Sequence, residues 1–283
     1  MSECLRSIVI IVAALVVVGL GPIDTAAKTR STPFSEQVFE AVYRIVGDDG
    51  DVGTCFFVSC PSNTAGSSLL ITARHVLDNI DSDTARVYLR KPTDTTDSYE
   101  IYSLPIAIRD GGEALYESHA DTTIDLAAIR VALPADFEVR VVSRMLLARA
   151  VDFVDLDITP GASVSYLGYP RGYSSGEGDF ALIRTGHIAS HPVDLERMFL
   201  VDGTVYEGNS GGLVYFAPRL DFNNQGRLIK ESPRVIGVMT TSIARSVRAE
   251  DTISVTEREY LNLGGVISSV RLLELLDQLG CGN

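Results

Sequence analysis

The sequence predicts an all-β fold of antiparallel barrels closed by one C-terminal α-helix. Three observations carry it. About a dozen short apolar segments recur along the chain, separated by turns of Gly, Asp and Ser. Clear helical periodicity occurs once, near the C-terminus. At 283 residues, 46% hydrophobic and 22% charged, the chain is ordinary globular material, long enough for one large or two small cores.

In chain order, the strands are expected at residues 42–46, 54–59, 69–72, 86–89, 99–104 and 126–131, then at 163–167, 181–184, 198–201, 213–216, 235–240 and 260–264. Each is rich in Val, Ile, Leu, Phe or Tyr and is bounded by turn residues. The helix rests on Leu272, Leu275, Leu276 and Leu279, which recur at i, i+3, i+4 and i+7. Ser268 is a candidate N-cap and Gly280 a stop. A boundary in the stretch 134–158 divides the chain into a first barrel, residues 28–140, and a second, residues 141–283, on which the helix packs.

The first thirty residues differ from the rest. Residues 8–20 are uninterrupted apolar residues with one glycine, preceded by Arg6 and followed by Gly21-Pro22 and the small residues Thr25, Ala26 and Ala27. The run is short for a bilayer span and suits a secretory signal over residues 1–27, cleaved after Ala27 and directing export to the periplasm or medium. An uncleaved membrane anchor is the alternative. Removing the segment takes Arg6, Glu3 and Asp24 with it, leaving 23 basic residues against 35 acidic, a net charge of −12. That balance, with no basic cluster, excludes nucleic acid as a partner.

Cysteine usage leaves two readings open. If residues 55–60 are extended, Cys55 and Cys60 lie about 16 Å apart, too far to bridge each other. A disulfide from one of them to Cys281 suits an oxidising compartment, and three free thiols are the alternative. None of the four histidines stands at zinc-site spacing from Cys, Asp or Glu, so no metal or other cofactor is implied. His119 lies among polar residues and is expected in solvent. His187 and His191 are expected to be surface or structural.

One constellation carries chemistry. The run Gly208-Asn209-Ser210-Gly211-Gly212 follows Thr72-Ala73-Arg74-His75 and the segment opened by Asp125. A serine hydroxyl is a poor nucleophile unless a base takes its proton and a third group orients that base. His75 ends an apolar run where packing would hold it, and Asp125 opens a segment that enters the core. The glycines allow the tight turn through which the N–H groups of Gly208 and Ser210 converge on a developing oxyanion. Taken alone, the same run also suits a surface turn between strands.

With these motifs, residues 40–275 resemble the bacterial trypsin-like serine peptidases, closest to the HtrA/Deg type. Stretches 53–59, 70–76, 125–129, 161–172, 208–212 and 235–238 carry the likeness. The resemblance implies a chymotrypsin-like pair of six-stranded antiparallel barrels. It implies His75 as general base, Asp125 as its orienter, Ser210 as nucleophile, and Gly208 and Ser210 as the oxyanion hole. It puts Thr204 at the base of the primary specificity pocket, with Thr240, Thr241 and Ser242 along its wall. No carboxylate stands at Thr204, so small or medium uncharged side chains are expected before the cut bond. The chain ends too soon after this region for the PDZ domain common in that family. Arg44-Ile45-Val46-Gly47 imitates a zymogen activation site, but the neutral Asn209 stands where the freed amine would need an Asp, so 42–46 is read as a strand. Two rival functions are a protease fold kept as a binding or latent module, and an esterase. The esterase elbow needs a helix after the serine and the order Ser, Asp, His, neither of which fits.

Overall fold

The computed structural model describes residues 34–59, 67–93, 98–134, 137, 139–192, 198–217, 221–222, 228–229, 233–248 and 256–282. The proposed signal segment and Cys60 lie outside them. The first lobe comprises α1 (Phe34–Glu40), β1 (Val42–Val46), β2 (Val52–Ser59), β3 (Ser67–Thr72), α2 (Arg74–Asn79), β4 (Thr84–Pro92) and β5 (Tyr99–Ala107). It continues with the short strands β6 (Arg109–Asp110), β7 (Glu113–Ala114) and β8 (Glu117–Ser118), then β9 (Ala127–Ala132) and β10 (Val142–Ser143). The second lobe has α3 (Ala150–Asp155), β11 (Ser163–Gly168), β12 (Leu182–Ile188), β13 (Phe199–Asp202) and β14 (Leu213–Phe216). After a small hairpin of β15 (Asp221–Phe222) and β16 (Leu228–Ile229) come β17 (Arg234–Arg248), β18 (Thr256–Ser268) and α4 (Ser269–Gln278).

All twelve expected segments are strands. The second lobe is a closed six-stranded barrel, ordered β11-β12-β13-β18-β17-β14. In the first lobe the ladder runs β5-β4-β1-β2-β3-β9-β8, and β10 adds to β2 in parallel, so Val142 and Ser143 belong to the first sheet. Among the described residues this ladder does not return on itself. Pro33–Asn283 form a single compact unit.

Strand periodicity explains how two lobes share one core. β2 is buried on both faces from Gly53 to Val58. Alternate side chains point opposite ways. Cys55 and Phe57 join Tyr43, Ile45 and Leu70 inside the first lobe. Phe56 and Val58 instead join Leu213, Val235 and Leu272 of the second lobe. β3 repeats the division, with Leu70 on the inner side and Leu69 and Ile71 on the shared side. Thr54, in phase with Phe56, therefore faces the second lobe.

Helix α4 forms as its leucines require. The Ser268 hydroxyl accepts the Val270 N–H at 3.2 Å, Leu272, Leu275 and Leu276 are buried, and Gly280 ends the helix at φ 68°. It packs on β17 and β18, and its buried leucines share a core with Phe56 and Val58 of the first lobe. His119 is buried, not solvated, because its Nε2 lies 3.0 Å from Glu274 on this helix and its Nδ1 accepts the Asp121 N–H at 3.0 Å. His187 and His191 are exposed. Cys281 is disulfide-bonded and buried, with its partner outside the described residues. Cys55 is a free thiol whose pKa burial pushes up, which leaves it protonated and inert.

A second lock joins the lobes. Arg90, at the end of the run read as 86–89, is buried, and its guanidinium donates to the carbonyls of Glu40, Val42 and Asp179 at 2.6, 2.8 and 3.1 Å. Arg44 pairs with the Asp179 carboxylate at 3.1 Å. These contacts tie the β11–β12 connection, residues 169–181, to β1. Arg44 and Ile45 thus belong to an interior strand, and Ile45 is fully buried.

Candidate active site

Ladder register brings the first two residues together. Thr72 of β3 pairs with Ala127 of β9. His75 follows Thr72 by three residues and Asp125 precedes Ala127 by two, so both leave the sheet at the same end. His75 sits not at a strand end, as expected, but in the first turn of α2, which starts directly after β3. Asp125 holds it twice. Its Oδ1 accepts the His75 backbone N–H at 3.0 Å, and its Oδ2 lies 2.6 Å from Nδ1. A carboxylate accepts, so this contact puts an imidazole proton on Nδ1, and in the neutral ring Nε2 is then the nitrogen with a bare lone pair. Burial would raise the Asp125 carboxyl. The hydrogen bonds and charge of His75, with Arg74 nearby, outweigh it and hold the pKa below the ordinary carboxylate value.

The glycine-rich run is fixed peptide by peptide. The Glu207 carbonyl accepts the Arg171 N–H at 2.7 Å. The Gly208 carbonyl accepts the Thr54 hydroxyl at 2.6 Å, and the Asn209 N–H donates to Tyr206 O at 3.1 Å. Asn209 O accepts Gly212 N–H at 2.9 Å, Ser210 O accepts Thr54 N–H at 2.8 Å, and Gly211 N–H donates to Met239 O at 2.7 Å. Two N–H groups of the run have no partner among the described residues, those of Gly208 and Ser210. Gly208 and Gly211 have φ of 89° and 86°. A Cβ on Gly208 would strike the Tyr169 carbonyl and one on Gly211 the Thr54 carbonyl, so side chains are excluded by both conformation and space. Asn209 is fully buried and its Nδ2 has no hydrogen-bond partner among the described residues.

His75, Asp125 and Ser210 line one cleft of about 700 Å³, together with residues 50–52 of the first lobe and 240–242 of the second. The Ser210 hydroxyl donates to Thr240 O at 3.0 Å rather than to His75. Thr240, Thr241 and Ser242 line the cleft, whereas Thr204 does not. The Thr204 carbonyl accepts from the Tyr166 hydroxyl at 2.9 Å and from Arg184 at 3.2 Å. β14 pairs with β17 only as far as Val238, so beyond Met239 the ladder with β18 is the only pairing of β17 among the described residues.

Sequence reasoning missed Asp51, Arg171, Tyr206 and Glu207 as cleft residues. Arg171 and Arg184 flank the Tyr206 ring, their guanidinium carbons 5.1 and 5.3 Å from its centroid. Arg171 takes a left-handed φ of 52° while its N–H holds Glu207 O. Pro170-Arg171-Gly172 in the chain is the only local signal of that turn. Among the described residues no His, Cys, Asp and Glu group has metal-binding geometry.

Against protein-family models, residues 53–228, more than half of the chain, match one described as "Trypsin-like peptidase domain". The chain has no match among curated proteins.

Proposed function

Because the chain belongs to the family of trypsin-like peptidase domains, we propose that it is a serine endopeptidase in which Ser210 attacks the peptide carbonyl and His75 takes its proton. Asp125 keeps the proton of His75 on Nδ1, so that Nε2 is free to act as the base. The hydroxyl leaves Thr240 O by rotation about χ1 and turns to Nε2. The N–H groups of Gly208 and Ser210 receive the oxyanion, a contribution of about 3 kcal/mol from each such donor. The protonated imidazole then gives its proton to the leaving amine, and water releases the acyl-enzyme by the same steps in reverse order.

The observation that carries this reading is the hydrogen bond from Arg171 N–H to Glu207 O. In a collapsed loop that carbonyl would turn inward and accept the Ser210 N–H. Here it points to Arg171, and the two donors that an oxyanion needs are the two left unpaired among the described residues. Substrate joins the open edge of β17 at residues 240–242 as an added strand. The hydroxyl-bearing and uncharged Thr240, Thr241 and Ser242 favour small or medium uncharged side chains before the cut bond. Within the family, the motifs quoted above favour the HtrA/Deg type, and the N-terminal apolar run favours export.

A second reading draws on the bond from Ser210 to Thr240, which parks the nucleophile away from its base. It is a binding module, or a peptidase latent until substrate frees the hydroxyl. A fluorophosphonate probe separates the two. Stoichiometric labelling at Ser210, with cleavage of a peptide panel after Ala, Val, Ser or Thr, is the expected result. Folded protein that takes no label overturns catalysis, and cleavage confined to Arg or Lys overturns the pocket reading alone.

A further inference from the structure

Thr54 lies on β2, in the lobe opposite the glycine-rich run, and is fully buried. Its backbone N–H donates to Ser210 O at 2.8 Å. Its hydroxyl donates to Gly208 O at 2.6 Å and accepts the Tyr169 N–H at 3.2 Å. Its own carbonyl accepts the buried Thr72 hydroxyl at 2.8 Å, which fixes the strand behind it. The surroundings leave no slack. A Cβ on Gly168 would come within 3.1 Å of the Thr54 hydroxyl and 3.0 Å of Asn209 Cα.

We infer that Thr54 is a positioning residue for the anion site, acting through the Gly208 carbonyl. The N–H of Gly208, unpaired among the described residues, lies in the Glu207–Gly208 peptide unit, and the Gly208–Asn209 unit stands between it and the Ser210 N–H. Arg171 N–H fixes the unit before Gly208 and the Thr54 hydroxyl the unit after it. Gly208, with no Cβ and a positive φ, has little conformational preference of its own to resist rotation. Without the hydroxyl, Gly208 O is left buried and unsatisfied, and turning it toward another donor rotates the Gly208–Asn209 peptide, pulls Asn209 N–H off Tyr206 O and disturbs the backbone that sets the Gly208 and Ser210 N–H groups on either side. The Tyr169 N–H on the same hydroxyl couples this to the β11–β12 connection, which also carries Arg171. One side chain of the first lobe thereby sets the loop of the second, so the site forms only when the lobes are docked.

The role rests on Ser210 being the nucleophile, and the test keeps the two apart. Thr54→Val keeps the shape and deletes the hydroxyl, whereas Thr54→Ser keeps it. On a peptide substrate, Thr54→Val should lower kcat about 10- to 100-fold with KM changed less than about twofold, and Thr54→Ser should stay within about threefold of wild type. A peptide boronate, whose tetrahedral adduct needs the anion site, should weaken by the same factor as kcat, while the uncharged product peptide binds unchanged. Should the valine variant fail to fold, Thr54→Ala against Thr54→Ser carries the same comparison. Wild-type kcat in a folded Thr54→Val protein, or a serine variant no better than valine, overturns the role of Thr54 alone. Wild type inert to the fluorophosphonate overturns the nucleophile assignment and this inference with it.

Discussion

Replacing Ser210 by alanine should lower turnover of a peptide substrate about 10⁶-fold while leaving the protein folded. The size follows from the group acting as a unit. Without the hydroxyl, the imidazole has no nucleophile to activate, and the Asp125 contact orients a base with nothing to do. What survives comes from the free N–H groups of Gly208 and Ser210 and from substrate binding, because the Ser210 N–H belongs to the backbone and outlives the substitution. The fold should hardly notice. Among the described residues the hydroxyl makes one hydrogen bond, to Thr240 O, worth about 1 kcal/mol. The Ser210 carbonyl, which accepts the Thr54 N–H at 2.8 Å, is retained. Turnover per mole of folded protein, compared at equal thermal unfolding midpoints, checks it. A loss of tenfold or less would mean that Ser210 merely lines the cleft.

Which parts of this site could be read from the chain follows from how far each residue reaches. His75 and Asp125 are legible because each stands beside an apolar run, and those runs, β3 and β9, pair with each other. The closeness of the two is thus a consequence of local patterns plus one ladder. Helix α2 was not legible. Its six residues include only two apolar ones, Val76 and Leu77, too short a span for periodicity to show. His119 looked solvated because its neighbours in sequence are polar, but its burial comes from Glu274 on α4. Arg90 shows the same thing more sharply. A charged residue at the end of a strand reads as exposed, and only the carbonyls of Glu40, Val42 and Asp179, supplied from elsewhere in the chain, make its burial tolerable. The shape of the loop at residues 206–212 lies furthest from sequence. The glycines announce a turn, but which N–H groups stay unpaired depends on Arg171 and Thr54. The outer reach of β17 and β18, from Arg248 and Thr256 inward, escaped for a different reason. Its polar residues carry no strand-like hydrophobic alternation, and the pairing is set by the hairpin itself.

Asp125→Asn should lower kcat/KM about 10⁴-fold, and the structure says why so near-isosteric a change costs so much. Asp125 Oδ1 faces the His75 backbone N–H, a donor that cannot change sign. The asparagine must therefore present its carbonyl oxygen there, which turns its NH₂ toward Nδ1. Nδ1 then becomes an acceptor and the imidazole proton moves to Nε2. That nitrogen can no longer take the proton of Ser210. Fluorophosphonate labelling should slow in parallel with peptide cleavage, while KM stays near the wild-type value. The same substitution predicts a pH dependence of stability. The folded pKa of Asp125 is depressed, so its ionised form contributes stability above the unfolded carboxylate value of about 4. That contribution is lost as pH falls through the lower folded value. The stability difference between wild type and Asp125→Asn should therefore shrink as pH falls below about 4. Denaturant unfolding of both proteins below about pH 5 checks the sign, and a difference that grows as pH falls below about 4 would mean that the carboxylate does not hold His75 as the 2.6 Å contact requires.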